Sequence, residues 1–238
     1  MSNKHVLLLR LSGPLQAWGV ESRFAVRDTL REPSKSGVVG LVCAALGRTR
    51  DQPIADLAAL RMGVRADQEG GILRDYHVAG VGGYYKASGD VERRNVIPGN
   101  RYYLTDARFL VAMEGEDLAL LAHVHEALRD PRWPLFLGRK ACPPGEPVWL
   151  CDGLQHETSL KAALCSYPWL GPRWVKPEER PRQLRLVLED PQGAQVRPDQ
   201  PISFAERRFG PRRVSTTLFR PPMPLLSLQE VEACTSPA

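Results

Sequence analysis

Apolar positions fall into short segments whose spacing assigns most of the secondary structure in the first 150 residues. Val6 to Leu11 is a nearly unbroken Val/Leu run ended by Ser12-Gly13-Pro14, which reads as a buried strand stopped by a turn. A polar loop leads to Ser36, the expected N-cap of an apolar helix from Gly37 to Leu46, with Gly47 just past its end. Met62 and Val64 alternate within Arg61 to Ala66 as a second strand. From Arg74 to Asn100 the periodicity vanishes: five glycines lie between Gly80 and Gly99, and the stretch reads as no compact element.

Thr105, Ala107, Phe109, Val111 and Met113 share one parity, which predicts a single strand from Arg101 to Met113 with one face buried. Leu118, Leu121, His125 and Leu128 then recur at helical spacing, with Glu116 and Asp117 placed to favour the helix N-terminus. Val148 to Cys151 is the expected closing strand. Strand, helix, strand, strand, helix, strand is the split βαβ order, so the predicted class is α+β, ferredoxin-like, with the topology of RRM domains. After Gly153 a short helix (Ser159 to Cys165), a Pro/Trp-rich segment and two strands (Leu184 to Leu188, Val214 to Phe219) predict a β-rich remainder, with a loose tail from Pro221. The expected division is residues 1–152 and 153–238.

Composition changes this picture in two places. The net charge of +5 hides an excess of 26 arginines over 6 lysines, which suits bidentate contacts to phosphate or bases. Eight of the 32 basic groups lie in residues 1–50 against 3 acidic ones, and Arg207, Arg208, Arg212 and Arg213 form a second basic cluster. The five cysteines are odd in number and widely spaced, so neither a disulfide framework nor a zinc ribbon is expected. No long apolar run predicts a membrane span or a signal segment, and the expected location is the cytoplasm.

Enzyme motifs with fixed spacing (G-x-S-x-G, H-E-x-x-H, the P-loop, G-x-G-x-x-G) are absent. His123 and His125 stand two apart on a predicted helix and face different ways, so no metal or other cofactor is expected there. The segment Arg10 to Gly19 ends a strand in a Gly-Pro turn that presents Gln16 and Trp18 beside a basic loop with Arg23, Arg27, Arg31 and Lys35. It reads either as a phosphate-and-stacking surface or as a structural turn with Trp18 in the core. Lys35-Ser36-Gly37 reads as an anion site at a helix N-terminus or as a plain cap. The glycine-rich stretch interleaves Tyr76, His77, Tyr84, Tyr85, Lys86, Arg93, Arg94 and Arg101, a mixture that suits single-stranded nucleic acid or else a surface loop. Leu137 to Cys142 adds a basic glycine turn around Arg139 and Lys140.

Arg10 to Gly19, Pro33 to Leu41, Arg74 to His77, Tyr103 to Ala107 and Leu137 to Pro143, taken in that order, resemble the CasD subunits of type I-E CRISPR Cascade complexes. Phe204 to Val214, with Arg207 and Arg208, looks like the basic C-terminal segment of that family. The resemblance implies an RRM-like domain with a long hairpin, the thumb, inserted at about residues 76–103. It implies an RNA-binding scaffold that caps the five-prime handle of the CRISPR RNA and abuts the backbone subunit CasC and the large subunit CasA. Target DNA is reached through the assembled complex, and catalysis is left to CasE. On this basis Gln16, Trp18, Lys35, Ser36, Arg139 and Lys140 are expected at the handle and Tyr84, Lys86, Arg93 and Arg94 on the thumb. Arg10, Arg27, His77 and Arg101 are expected among the other RNA-binding residues.

A second reading is a metal-independent endoribonuclease, because the homologous type I-C subunit cleaves the repeat. His77, Tyr84, Tyr85 and Lys86 would then supply the general acid and base.

Overall fold

A computed structural model gives the fold over residues 4–22, 25–172 and 174–221. Along the chain, β1 (His5–Ser12), β2 (Leu15–Gln16) and β3 (Val26–Arg27) precede α1 (Lys35–Leu46) and α2 (Ala55–Ala59). Then come β4 (Arg61–Gln68), β5 (Gly71–Ala79), β6 (Tyr84–Tyr85), β7 (Val91–Glu92), β8 (Ile97–Thr105) and β9 (Arg108–Gly115). The remainder is α3 (Leu118–Arg129), β10 (Leu154–Gln155), α4 (Leu160–Ser166), β11 (Leu184–Glu189), β12 (Gln195–Ser203) and β13 (Arg208–Phe219).

Seven strands form one antiparallel sheet in the order β10-β1-β9-β4-β11-β13-β12. Strand alternation sends Leu7, Leu9 and Leu11 of β1 towards Val38 and Val42 of α1 and Leu121 and Val124 of α3. Val6 and Leu8 point the other way, into a second core with Leu110, Ala112, Leu150, Leu160 and Leu164. Both faces of the sheet are therefore covered, which explains why β1 is apolar at successive positions instead of alternating. The same holds for β9, where Phe109, Val111 and Met113 join the first core and Leu110 and Ala112 the second, so the expected one-sided burial is corrected.

Four further expectations change. The strand predicted from Arg101 to Met113 is two strands, broken at Asp106, which sits at φ 55 in the left-handed region. Aspartate tolerates that conformation better than most residues, so the break carries no glycine to announce it. Helix α1 begins two residues early: Ser34, not Ser36, is the cap, its Oγ accepting from the Gly37 amide at 3.3 Å. The closing strand is β10, opposite Val6 and Leu7, and not 148–151; Val148 and Gly153 only offer their carbonyls to the Arg10 and Leu8 amides. Finally, the stretch read as no compact element is a hairpin. β5 and β8 pair without interruption from Gly71↔Thr105 to Ala79↔Ile97, and β6 pairs β7 at the tip. Nine residues per strand give this arm a paired length of roughly 30 Å.

The β-rich remainder extends the same sheet, since β11 pairs β4 and carries β13 and β12 beyond it. That places the β12–β13 turn beside α1, an arrangement no local pattern announces. The tail expected from Pro221 lies, from residue 222 on, outside the described residues.

Candidate nucleic-acid interface

Two surfaces carry the cations and aromatics that the structure leaves available. The first is a groove of about 850 Å³ along α1. Gly40, Cys43 and Ala44 of α1 line it, together with Trp133 and Phe136 from the loop after α3, Phe204 from the β12–β13 turn and Phe209 at the start of β13. Arg50, Lys140 and Arg207 add cations to the lining, as does Arg48, which is held by Asp56 at 2.6 Å, and no acidic side chain lines the groove among the described residues. A smaller cavity of about 230 Å³ shares Ser36, Gly37, Gly138, Phe204 and Phe209 with it and reaches Trp18 and Ser22. The walls are tied to α1 by backbone: the Arg132 and Trp133 amides donate to the Ala45 and Ala44 carbonyls at 2.9 and 3.2 Å.

The second surface is one face of the arm at its base. By alternation and register, Arg27 of β3, Arg101 of β8 and Asp75 of β5 form a row, with His77 and Gly99 in the next row and Leu73 and Tyr103 in the one before. Tyr103 is capped by the Arg139 guanidinium, 4.8 Å from its ring centroid. Arg27, His77 and Arg101 are thus brought together, and none has a side-chain partner among the described residues. Arg93 and Arg94 stand exposed near the tip.

Several residues expected to touch RNA are committed to the fold. Gln16 is fully buried; its amide donates to the Leu11 and Ala107 carbonyls at 3.2 and 2.7 Å and accepts from Trp18 Nε1 at 3.0 Å. Trp18 lies beneath α1, and a side chain on Gly37 would come within 2.8 Å of its ring. The structural-turn reading of this motif holds, and Gln16 and Trp18 shape the site from below. Arg10 reaches the Pro147 carbonyl and Glu146, at 3.0 and 3.2 Å.

Lys35 is buried as well. Its ammonium meets Glu189 at 3.0 Å, and its backbone amide donates to Asp199 Oδ2 at 2.8 Å. Asp199 also accepts two bonds from Arg212, each 2.8 Å. The start of α1 is therefore already occupied by an internal carboxylate, and the anion-site reading fails there. Burial pulls the Lys35 pKa below the usual lysine value against the opposing pull of Glu189. Glu32 ties the same region together by pairing with Arg185 and Arg197 at 2.9 Å each.

Arg139 is a staple: its guanidinium donates to the Tyr102 and Asp28 carbonyls at 3.1 and 2.9 Å, joining the 137–142 turn to the arm. The turn itself depends on Gly138 at φ +91, where a Cβ would fall 1.8 Å from the Ala17 carbonyl oxygen. Lys86 pairs with Glu92 at 2.9 Å at the arm tip, which holds the Glu92 carboxyl down to about 2. Tyr84 packs over Gly80, and Arg208 pairs with Glu206 at 3.3 Å. Ser36, Lys140 and Arg207 line the groove. Arg23 lies outside the described residues.

Sequence reasoning missed Trp133, Phe136, Phe209, Arg48 and Arg50. They come from three separate segments, and only the fold gathers them.

Comparison with known proteins places the molecule in the CRISPR-associated class. A solved structure described as "Crystal structure of Cas protein" matches with a TM-score of 0.72 at 46% identity, over 91% of this chain and 95% of that one. Another, a chain of a "CRISPR RNA-guided surveillance complex", matches with a TM-score of 0.79 at 30% identity over 96% of both chains. The curated "CRISPR system Cascade subunit CasD" of Escherichia coli (strain K12) is 34% identical over 182 residues, 69% of this chain and 78% of that protein. The chain belongs to the family described as CRISPR-associated protein (Cas_Cas5), whose profile matches residues 6–215.

Proposed function

We propose that this chain is the CasD-type, CRISPR RNA-binding subunit of a Cascade surveillance complex, without a catalytic role of its own. The observation that carries the reading is the α1 groove, where the rings of Trp133, Phe136, Phe204 and Phe209 and the cations Arg50, Lys140 and Arg207 line one cavity that has no carboxylate in its lining. Stacking rings with phosphate-seeking cations are what an unpaired strand needs. The matches to a Cascade subunit and to a chain of an RNA-guided complex, both across most of the molecule, support the same reading.

In this reading the groove and the cationic face of the arm hold the five-prime handle through Ser36, Lys140, Arg207, Arg27, His77 and Arg101, with Arg93 and Arg94 further along the strand. Arg10, Gln16, Trp18, Lys35 and Arg139 act at one remove by fixing the walls. The strand order β10-β1-β9-β4 with α1 and α3 on one face supports a ferredoxin-like, RRM-type centre, and the arm is its thumb. CasC and CasA are the neighbouring subunits, target DNA is met through the assembly, and the complex works in the cytoplasm.

Co-expression with the other Cascade subunits and a CRISPR RNA tests this. The chain is expected to co-purify with the complex when the handle is intact and to be lost when the handle is deleted. Retention without the handle, or affinity for RNA that does not fall with salt, overturns the reading.

A further inference from the structure

Helix α1 holds two glycines one turn apart whose surroundings differ. Gly37 is required by close packing, because its Cβ would meet Trp18 at 2.8 Å. Gly40 is not: a Cβ there meets only Phe204 Cζ, at 3.8 Å, an ordinary contact. A glycine in a helix interior costs stability relative to alanine, through backbone entropy, so Gly40 needs another reason. The space above it opens into the groove, with Phe204 and Phe209 held at 57° to each other and 6.3 Å between centroids.

We propose that this space is a slot for a single unpaired nucleobase, laid over Gly40 against the rings of Phe204 and Phe209, with the flanking phosphates on Lys140 and Arg207. The inference rests on the RNA-binding reading and deepens it. Charge decides between a base and a partner peptide. Lys140 and Arg207 on the rim have no side-chain partner among the described residues and no acidic neighbour in the lining, as a polyanionic strand requires. The uncharged hydrogen-bonding side chains in the lining are few, Ser36, Thr49 and the Trp133 indole, so the slot holds a base chiefly by its face and accepts any base.

The test uses the full chain and single-stranded RNAs of about ten nucleotides carrying 2-aminopurine at successive positions. Fluorescence should be quenched at one position on binding. Gly40→Leu, which fills the slot, should lower affinity roughly tenfold or more and remove the quenching while leaving the salt dependence unchanged. Gly40→Ala should melt higher than the parent and keep the quenching. Phe209→Leu, at a partly exposed site where folding is not at stake, should lower affinity to a similar degree by removing one ring. Salt-dependent binding with unaltered affinity and quenching in a folded Gly40→Leu protein overturns the slot and leaves the RNA reading intact. So does loss of complex retention in that variant with RNA affinity unchanged, which would assign the groove to a protein segment. No salt-dependent binding by the parent chain overturns the RNA reading itself.

Discussion

Removing the Asp199 carboxylate separates the cations that hold the fold from those that meet a ligand. Asp199 has no exposed surface, and it accepts from the Lys35 amide and twice from Arg212, all at 2.8 Å. In Asp199→Ala, Arg212 keeps only Glu189, at 3.9 Å, and its side chain is 5% exposed. Breaking a buried pair from one side strands a charge and typically costs about 3–5 kcal/mol. At this chain length that corresponds to a fall in Tm of about 10 °C. Thermal unfolding followed by circular dichroism measures it. Asp199→Ala/Arg212→Met removes both charges and should recover about half of the loss, because the penalty lies in the orphaned guanidinium. A single variant destabilised by less than about 1 kcal/mol, or a double variant no more stable than the single, refutes the reasoning.

The same separation predicts RNA behaviour. Lys35→Met should lower stability without changing the slope of log affinity against log salt, whereas Lys140→Ala and Arg207→Ala should each reduce that slope by about 0.7 in nitrocellulose-filter titrations. Arg139→Ala loses two carbonyl contacts and the Tyr103 stack, for about 2 kcal/mol in urea unfolding, and Arg139→Lys should not restore them, because an ammonium lacks the planar fork. Burial pushes the Cys43 thiol up to about 11 from its usual 9.0. Between those values the unfolded chain has lost a proton that the folded chain keeps, so stability falls as pH rises through the window. The loss is about 2–3 kcal/mol and should be absent in Cys43→Ala when unfolding at about pH 8 and about pH 10.5 is compared.

What was legible in the sequence is what is local. Val6 to Leu11, the helix ended by Gly47 and the 118–128 periodicity report burial directly, and each appears as an element within a few residues of its expected place. The break at Asp106 was illegible because the alternation of Thr105, Ala107 and Phe109 runs straight through a left-handed residue. The arm was illegible to periodicity for a different reason. β5 and the outer half of β8 are largely exposed on both faces, so no apolar face marks a period of two, and the pairing lives in backbone hydrogen bonds that leave no compositional trace. The resemblance supplied it where the pattern did not.

Residue type misled most at the site, and the cause is physical. A lysine beside a helix start and an arginine in a glycine turn offer the same donors to a phosphate as to an internal carboxylate or carbonyl. Which one they meet depends on residues far along the chain: Glu189 and Asp199 for Lys35, Tyr102 and Asp28 for Arg139. Arginine excess is therefore not a measure of interface. Arg65, Arg185, Arg197 and Arg212 are consumed by Asp67, Glu32, Glu69 and Asp199 inside the molecule. Of these, the pairs of Glu32 with Arg185 and Arg197 and of Asp199 with Arg212 and the Lys35 amide tie the C-terminal strands to the start of α1, whereas Lys140 and Arg207 remain available in the groove. The buried arginines then serve RNA binding only through stiffness, and a substitution among them should move stability and affinity together, whereas one at the rim should move affinity alone.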